Sequence, residues 1–109
     1  MNRQILSKYN PMSETAFFML LALNQERHGY GIMQYVEQIT AGRLRIGAGT
    51  IYGTLSKMEK DGLIETVGEY DRRKIYRQTS LGKQILKEEF IRLEEMVRIG
   101  LQEGVREDG

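Results

Sequence analysis

Apolar and polar positions along this chain change their spacing from segment to segment, and each change marks an element. An unbroken apolar run of eight residues, Ala16 to Leu23, follows Pro11 and Ser13, a helix stop and a helix N-cap. Being apolar on every side, it predicts a helix over residues 13–25 buried at the centre of a small domain. His28, Gly29, Tyr30 and Gly31 interrupt the run as a tight connection. Beyond them Ile32, Tyr35, Val36 and Ile39 fall at i, i+3, i+4 and i+7, which predicts a second helix over residues 30–40, with Gly42 as its C-terminal cap. Ile51, Leu55 and Met58 mark a third helix over residues 50–60, introduced by Gly47 and Gly49 and closed by Gly62. Gly49, Gly53, Ser56, Lys57 and Lys60 cluster on its opposite face, which is small and basic. Residues 63–68 and 74–79 are β-prone runs around a charged tip at residues 69–73.

From Leu81 onward Ile85, Leu86, Phe90, Leu93, Val97 and Leu101 recur at spacings of three and four, flanked by Ile91, Met96 and Ile99. A helix of that length spans roughly 36 Å at the standard rise, more than a three-helix core can cover. Leu86, Phe90, Leu93, Val97 and Leu101 are therefore expected to meet a second chain. The last residues, 106–109, are expected to fray. Residues 1–11 have no apolar run behind their early bases and read as neither signal peptide nor membrane anchor.

Composition narrows the chemistry. The chain has 109 residues, room for one small domain rather than a multidomain enzyme, and no cysteine, which removes disulfides, thiol nucleophiles and cysteine metal sites. A lone histidine, His28, leaves no partner for a histidine metal site or a Ser-His-Asp relay and fits a turn or capping role. No cofactor is expected, and the cytoplasm is the default location. The net charge of +1 conceals a bias: residues 43–80 carry eight bases against five acids, and residues 81–109 five bases against seven acids. The adjacent acids Glu88 and Glu89, like Glu94 and Glu95, point apart on a helix and read as solvated rather than as a catalytic pair.

Three helices followed by a ribbon, with bases on the third helix and the ribbon tip, make a mainly α fold with a two-stranded wing: a winged helix-turn-helix over residues 1–80 and a dimerisation helix over residues 81–109. In that architecture the third helix enters the major groove of double-stranded DNA and the wing reaches phosphates or the minor groove. Bare positions Gly49 and Gly53 let the helix backbone approach the duplex, Thr50, Thr54 and Tyr52 offer hydroxyls there, and Lys57 adds charge. Taken singly, each has a plainer reading: Tyr52 as a half-buried packing residue, Lys57 and Lys60 as a solvated face, Arg72, Arg73 and Lys74 as a turn that protects ribbon edges. A winged helix used as a protein-interaction module, without DNA, is the alternative from another class.

The stretches Gly49-Thr50-Ile51-Tyr52-Gly53-Thr54-Leu55, Leu63-Ile64, Arg72-Arg73-Lys74-Ile75-Tyr76-Arg77 and Thr79-Ser80-Leu81-Gly82, with His28-Gly29-Tyr30-Gly31-Ile32 before them, resemble the PadR family of transcriptional regulators. The resemblance spans about residues 13–93 and its motifs occur in order. It implies a homodimeric winged-helix repressor of the short branch, reading a pseudo-palindromic operator, with a small-molecule effector that weakens DNA binding. By position it puts Tyr52 on the family's third-helix tyrosine and Arg72, Arg73 and Lys74 on its wing-tip bases, whereas Thr50, Thr54 and Lys57 occupy outward positions that vary with the operator. Some short members place an aromatic on the dimer helix that stacks planar drugs; Leu93 stands at about that position and the chain has no tryptophan.

Overall fold

In the computed structural model, which describes residues 3–106, three helices begin where a side chain can accept a free backbone N–H. Ser13 Oγ accepts from Ala16 N (3.1 Å) at the start of α2 (Glu14–Ala22), and His28 Nδ1 accepts from Gly31 N (2.9 Å) at the start of α3 (Gly29–Ile39). Thr79 Oγ1 accepts from Gly82 N (3.0 Å) at the start of α5 (Ser80–Gln102). His28 is thus a cap, as its isolation in the sequence implied. Before them lies α1 (Arg3–Tyr9), and between α3 and α5 stand α4 (Ala48–Lys60) and an antiparallel ribbon of β1 (Ile64–Tyr70) and β2 (Arg73–Gln78). Gly42 and Gly62 end α3 and α4 with φ of +81° and +83°, a conformation in which a Cβ is strained.

The sequence pattern needs correction in several places. It contained no α1, a helix held by a distant contact: the Tyr9 hydroxyl donates to Asp61 Oδ2 (2.7 Å) and Lys8 Nζ to Asp61 Oδ1 (3.0 Å) at the end of α4. Burial opposes the Asp61 charge, but the two hydrogen bonds and the nearby Lys57 prevail and hold its carboxyl below the usual carboxylate range. The first expected helix is shorter than residues 13–25, and it is not uniformly buried: Ala16, Met19, Leu20 and Ala22 are sealed, whereas Phe17 and Phe18 are half-exposed. The first strand runs two residues further toward the tip than its β-prone run and the second begins one residue earlier, because a bulge at Val67 lets pairing continue from Ile64–Gln78 to Tyr70–Arg73. The tip shrinks to Asp71 and Arg72, whose φ values of 52° and 65° are those of a two-residue hairpin turn.

The core joins Met19, Leu20 and Leu23 to Ile32 and Val36 of α3, Ile51, Leu55 and Met58 of α4, and Leu63, Ile64 and Ile85. Both the wing and α5 are rooted at Leu63. Thr79 N donates to Leu63 O (3.0 Å), and a Cβ added at Gly82 would lie 2.0 Å from that same oxygen, so α5 packs too closely there for any side chain.

Glu89 departs furthest from expectation. It is 1% exposed rather than solvated, and Arg92 closes on it with Nε to Oε1 at 2.8 Å and Nη2 to Oε2 at 2.6 Å. The bond from Arg92 holds the carboxyl below its ordinary range despite burial, with the Met12 backbone N–H assisting. Glu89 sits one turn after Ile85, on the core side of α5, and so ties α5 to the segment that opens α2. Further along, the helix leaves the domain behind. Leu86 still packs on this chain's own core and Leu93 is half-buried, but Phe90 and Val97 are 53% and 57% exposed, and Ile91, Met96, Ile99 and Leu101 are open as well. Phe17, Phe90, Leu93, Val97 and Leu101 line an apolar trough of about 640 Å³. Among the described residues no helix is long and apolar enough to cross a membrane. Residues 107–109, part of the tail expected to fray, lie outside the described ones.

Candidate nucleic-acid interface

α4 presents its apolar side, Ile51, Leu55 and Met58, to the core, and this orients the rest of the helix. Gly49, Thr50, Tyr52 and Gly53 are exposed, Tyr52 by 50%, while Thr54 is half-buried. A Cβ at Gly49 or Gly53 would meet nothing within 4 Å. The chain itself therefore gains nothing from these two glycines, each of which costs an exposed helix about 1 kcal/mol relative to alanine.

Tyr52 turns toward the wing. Its ring lies against Gly29, where an added Cβ would come within 2.7 Å of Tyr52 Cε1. A residue with a side chain at position 29 would displace the ring from the first turn of α3. The wing is held to the same spot by a backbone bridge that the sequence pattern did not contain: Arg27 N donates to Tyr76 O (3.1 Å) and Tyr76 N to Arg27 O (2.9 Å). Arg27 is fixed in turn by a bond from Nη1 to Ala22 O (3.1 Å) and by stacking 4.1 Å from the Tyr35 ring centroid. The result is a cleft of about 400 Å³ lined by Gly29, Tyr52, Arg72, Arg73, Lys74 and Tyr76. Four of the expected site residues, Tyr52, Arg72, Arg73 and Lys74, are brought together there; Gly29 and Tyr76 join them and were missed, because only the bridge at Arg27 places them.

Charge pairing separates these bases from the other arginines of residues 43–80, whereas Lys57 and Lys60 on α4 also make no ion pair with a described residue. Arg43 pairs with Glu14, Arg45 with Glu37 (3.2 Å) and Arg77 with Glu65 (2.7 Å). Lys57, an expected contact on α4, leans the other way, with Nζ 5.8 Å from the Tyr9 ring centroid and close enough to Asp61 to favour its charge. Arg72, Arg73 and Lys74 are exposed and make no ion pair with any described residue. Arg73 lies with its guanidinium carbon 5.5 Å from the Tyr30 ring centroid, beside the start of α3. At the wing this leaves three cations without an ion pair to a described residue, next to a helix N-terminus, an arrangement that favours an anion. Among the described residues no cluster of His, Cys, Asp or Glu is placed to hold a metal ion.

Comparison with known proteins gives concordant results. The model of the transcriptional regulator PadR-like family matches residues 18–88. The chain is 35% identical over 77 residues to the uncharacterised protein X of Lysinibacillus sphaericus, covering 67% of this chain and 71% of that protein. It is 34% identical over 80 residues to the transcriptional regulator Rv3488 of Mycobacterium tuberculosis, covering 71% of this chain and 72% of the relative. In fold it is similar to the crystal structure of a PadR family transcription regulator from hypervirulent Clostridium difficile R20291, with a TM-score of 0.68 at 22% identity over 83% of this chain and 97% of the other.

Proposed function

The chain belongs to the PadR-like family of transcriptional regulators, and on that premise we propose that it is a homodimeric, sequence-specific DNA-binding repressor of the cytoplasm, without catalytic activity, that a small-molecule effector releases from its operator. The observation that carries this reading is the coincidence on one side of the molecule of three unpaired cations and a helix face stripped to glycine. Arg72, Arg73 and Lys74 supply phosphate contacts that position the domain on any duplex. Thr50, Tyr52 and Thr54, on a helix whose Gly49 and Gly53 allow close approach, supply the contacts that depend on sequence, and Lys57 adds charge at the α4 end nearer α1.

The dimer is inferred from α5. Phe90, Leu93, Val97 and Leu101 form a continuous apolar face that this chain leaves open, with Leu86 at its root. Two-fold pairing through that face places two α4 helices about one DNA turn, roughly 34 Å, apart and calls for a pseudo-palindromic operator. An effector seated between the dimer helices and the DNA-binding lobes acts by changing that separation, and so weakens a complex that needs both half-sites at once.

The test is fluorescence anisotropy with a labelled duplex from the protein's own promoter region, titrated at low salt beside a scrambled duplex. Tighter binding to the promoter duplex is expected, with a steep loss of affinity as salt rises, close to −0.9 in the log–log slope for each phosphate neutralised. Absence of binding to either duplex at low salt would refute the reading and favour a protein-interaction module.

A further inference from the structure

We infer that the cleft between the start of α3 and the wing seats a single backbone phosphate of the DNA in each half-site, gripped by the Tyr76 hydroxyl; this rests on the DNA-binding reading above. Tyr76 is 7% exposed, yet no described residue hydrogen-bonds its hydroxyl. Among the described residues no fully sealed side-chain nitrogen or oxygen lacks a partner, so the Tyr76 oxygen is not closed off inside the protein. Tyr76 is among the residues that line the cleft, and in the proposed seat its hydroxyl faces that space. A tyrosine buried to this degree usually satisfies its hydroxyl within the fold; here the ring is packed in the protein and the hydroxyl is left for a ligand. Burial first, then Glu59 and Tyr52, raise its pKa, which keeps the hydroxyl protonated and able to donate.

The surroundings specify an anion with oxygens on more than one side. Tyr52 brings a second hydroxyl to the first turn of α3, about 3.0 Å from where a Gly29 Cβ would stand. The amides of Gly29 and Tyr30 precede the first hydrogen bond of that helix, from Ile32 N to His28 O, so they are free to donate. Arg73 approaches the same turn, and Arg72 and Lys74 line the cleft with it. The bridge between Arg27 and Tyr76 fixes the two walls relative to each other, so the seat exists before the ligand arrives. A cleft of about 400 Å³ is far roomier than a bare phosphate ion requires. It opens beside the exposed ring of Tyr52, as a strand continuing past the protein needs. Seating one phosphate there sets the register of α4 in the groove without reading any base.

The experiment uses the full chain and a set of operator duplexes in which one phosphate at a time is replaced by an uncharged methylphosphonate, with wild type, Tyr76→Phe and Arg73→Ala compared. Tyr76→Phe keeps the packed ring and removes a hydroxyl that the fold does not use, so its melting temperature is expected to stay at the wild-type value. In wild type, one position per half-site is expected to dominate the scan. Tyr76→Phe should bind the unmodified operator and a scrambled duplex about tenfold more weakly, the scale of one hydrogen bond to a charged group. Methylphosphonate at the dominant position should then cost it little more, and Arg73→Ala should show the same loss of coupling. Full affinity of Tyr76→Phe, or a scan profile identical to wild type, would overturn the seat while leaving DNA binding intact. If millimolar inorganic phosphate shifted the Gly29 and Tyr30 amide resonances while Tyr76→Phe bound DNA normally, the cleft would be a site for a free phosphoanion instead. A wild-type protein that bound no duplex would remove both the seat and the reading beneath it.

Discussion

At the root of α5, Arg92 closes on a carboxylate sealed from water, and the two groups meet each other's hydrogen-bonding needs with the help of the Met12 amide. Across the domain, Arg72, Arg73 and Lys74 stand around a cleft without an ion pair to any described residue, beside a buried tyrosine whose hydroxyl no described residue hydrogen-bonds. Both regions gather basic side chains within a few residues of the core, but in one the charge is answered inside the chain and in the other it is not. The first arrangement resists disturbance because an unpaired buried charge is costly. The second persists because exposed cations cost little in water and gain when an anion displaces that water. Net charge does not reveal this contrast; the pairing of individual side chains does.

The sharpest way to break the contrast is to unpair the buried site. Arg92→Ala leaves the buried Glu89 carboxyl without its partner and is expected to lower stability in urea unfolding by more than any wing substitution does. Changing Arg72, Arg73 and Lys74 together to alanine should move the same measurement by no more than about 0.5 kcal/mol. Acid gives a second test of the buried pair. The folded pKa of Glu89 lies below its unfolded value, so its contribution is complete above about pH 4.3 and drains away as pH falls through the folded value. Glu89→Gln should lack that acid limb, and a variant whose stability falls in acid as steeply as wild type's would show that the pair is not its source.

The exposed end of α5 sharpens the contrast in another way, since its open groups are apolar rather than charged. Val97→Asp is expected to convert a dimer to a monomer in sedimentation at micromolar concentration, with the helical content of the domain retained. A wild-type monomer under those conditions would contradict the dimer. The glycines distinguish space the chain leaves open from space it fills. Gly53→Ala should stabilise the fold by about 1 kcal/mol and weaken DNA binding, because its methyl group meets only space that the duplex is proposed to fill. Gly82→Ala should do the reverse of stabilising, because its methyl group would meet Leu63 O.

Much of this was legible in the sequence. The spacing of Ile32, Val36, Ile51, Leu55 and Met58 placed the second and third long helices to within a residue or two, and the uncovered stripe from Phe90 to Leu101 was visible as surplus helix length. What remained hidden depended on contacts between distant segments. α1 offers only Ile5, Leu6 and Tyr9 as apolar positions and is held by Asp61, 52 residues from Tyr9. Tyr76 and Gly29 become part of one site only through the bridge at Arg27. Gly49, Gly53 and Gly82 are alike as letters; the neighbours of their missing Cβ atoms tell them apart. Glu89 did carry a signal, since it lies i+4 from Ile85 on the core side with a base at i+3, but a rule that adjacent acids are solvated overrode it.

The wing cations are the centre of the account, and the salt dependence of duplex binding tests them most directly. Anisotropy titrations of wild type and of the alanine triple variant at residues 72–74, from 50 to 200 mM salt in order of magnitude, give two log–log slopes. The wing account predicts a shallower slope on operator and scrambled duplexes alike, by about 0.9 for each phosphate the three bases neutralise on a protomer, the seated one included. Equal slopes for the two proteins would contradict it.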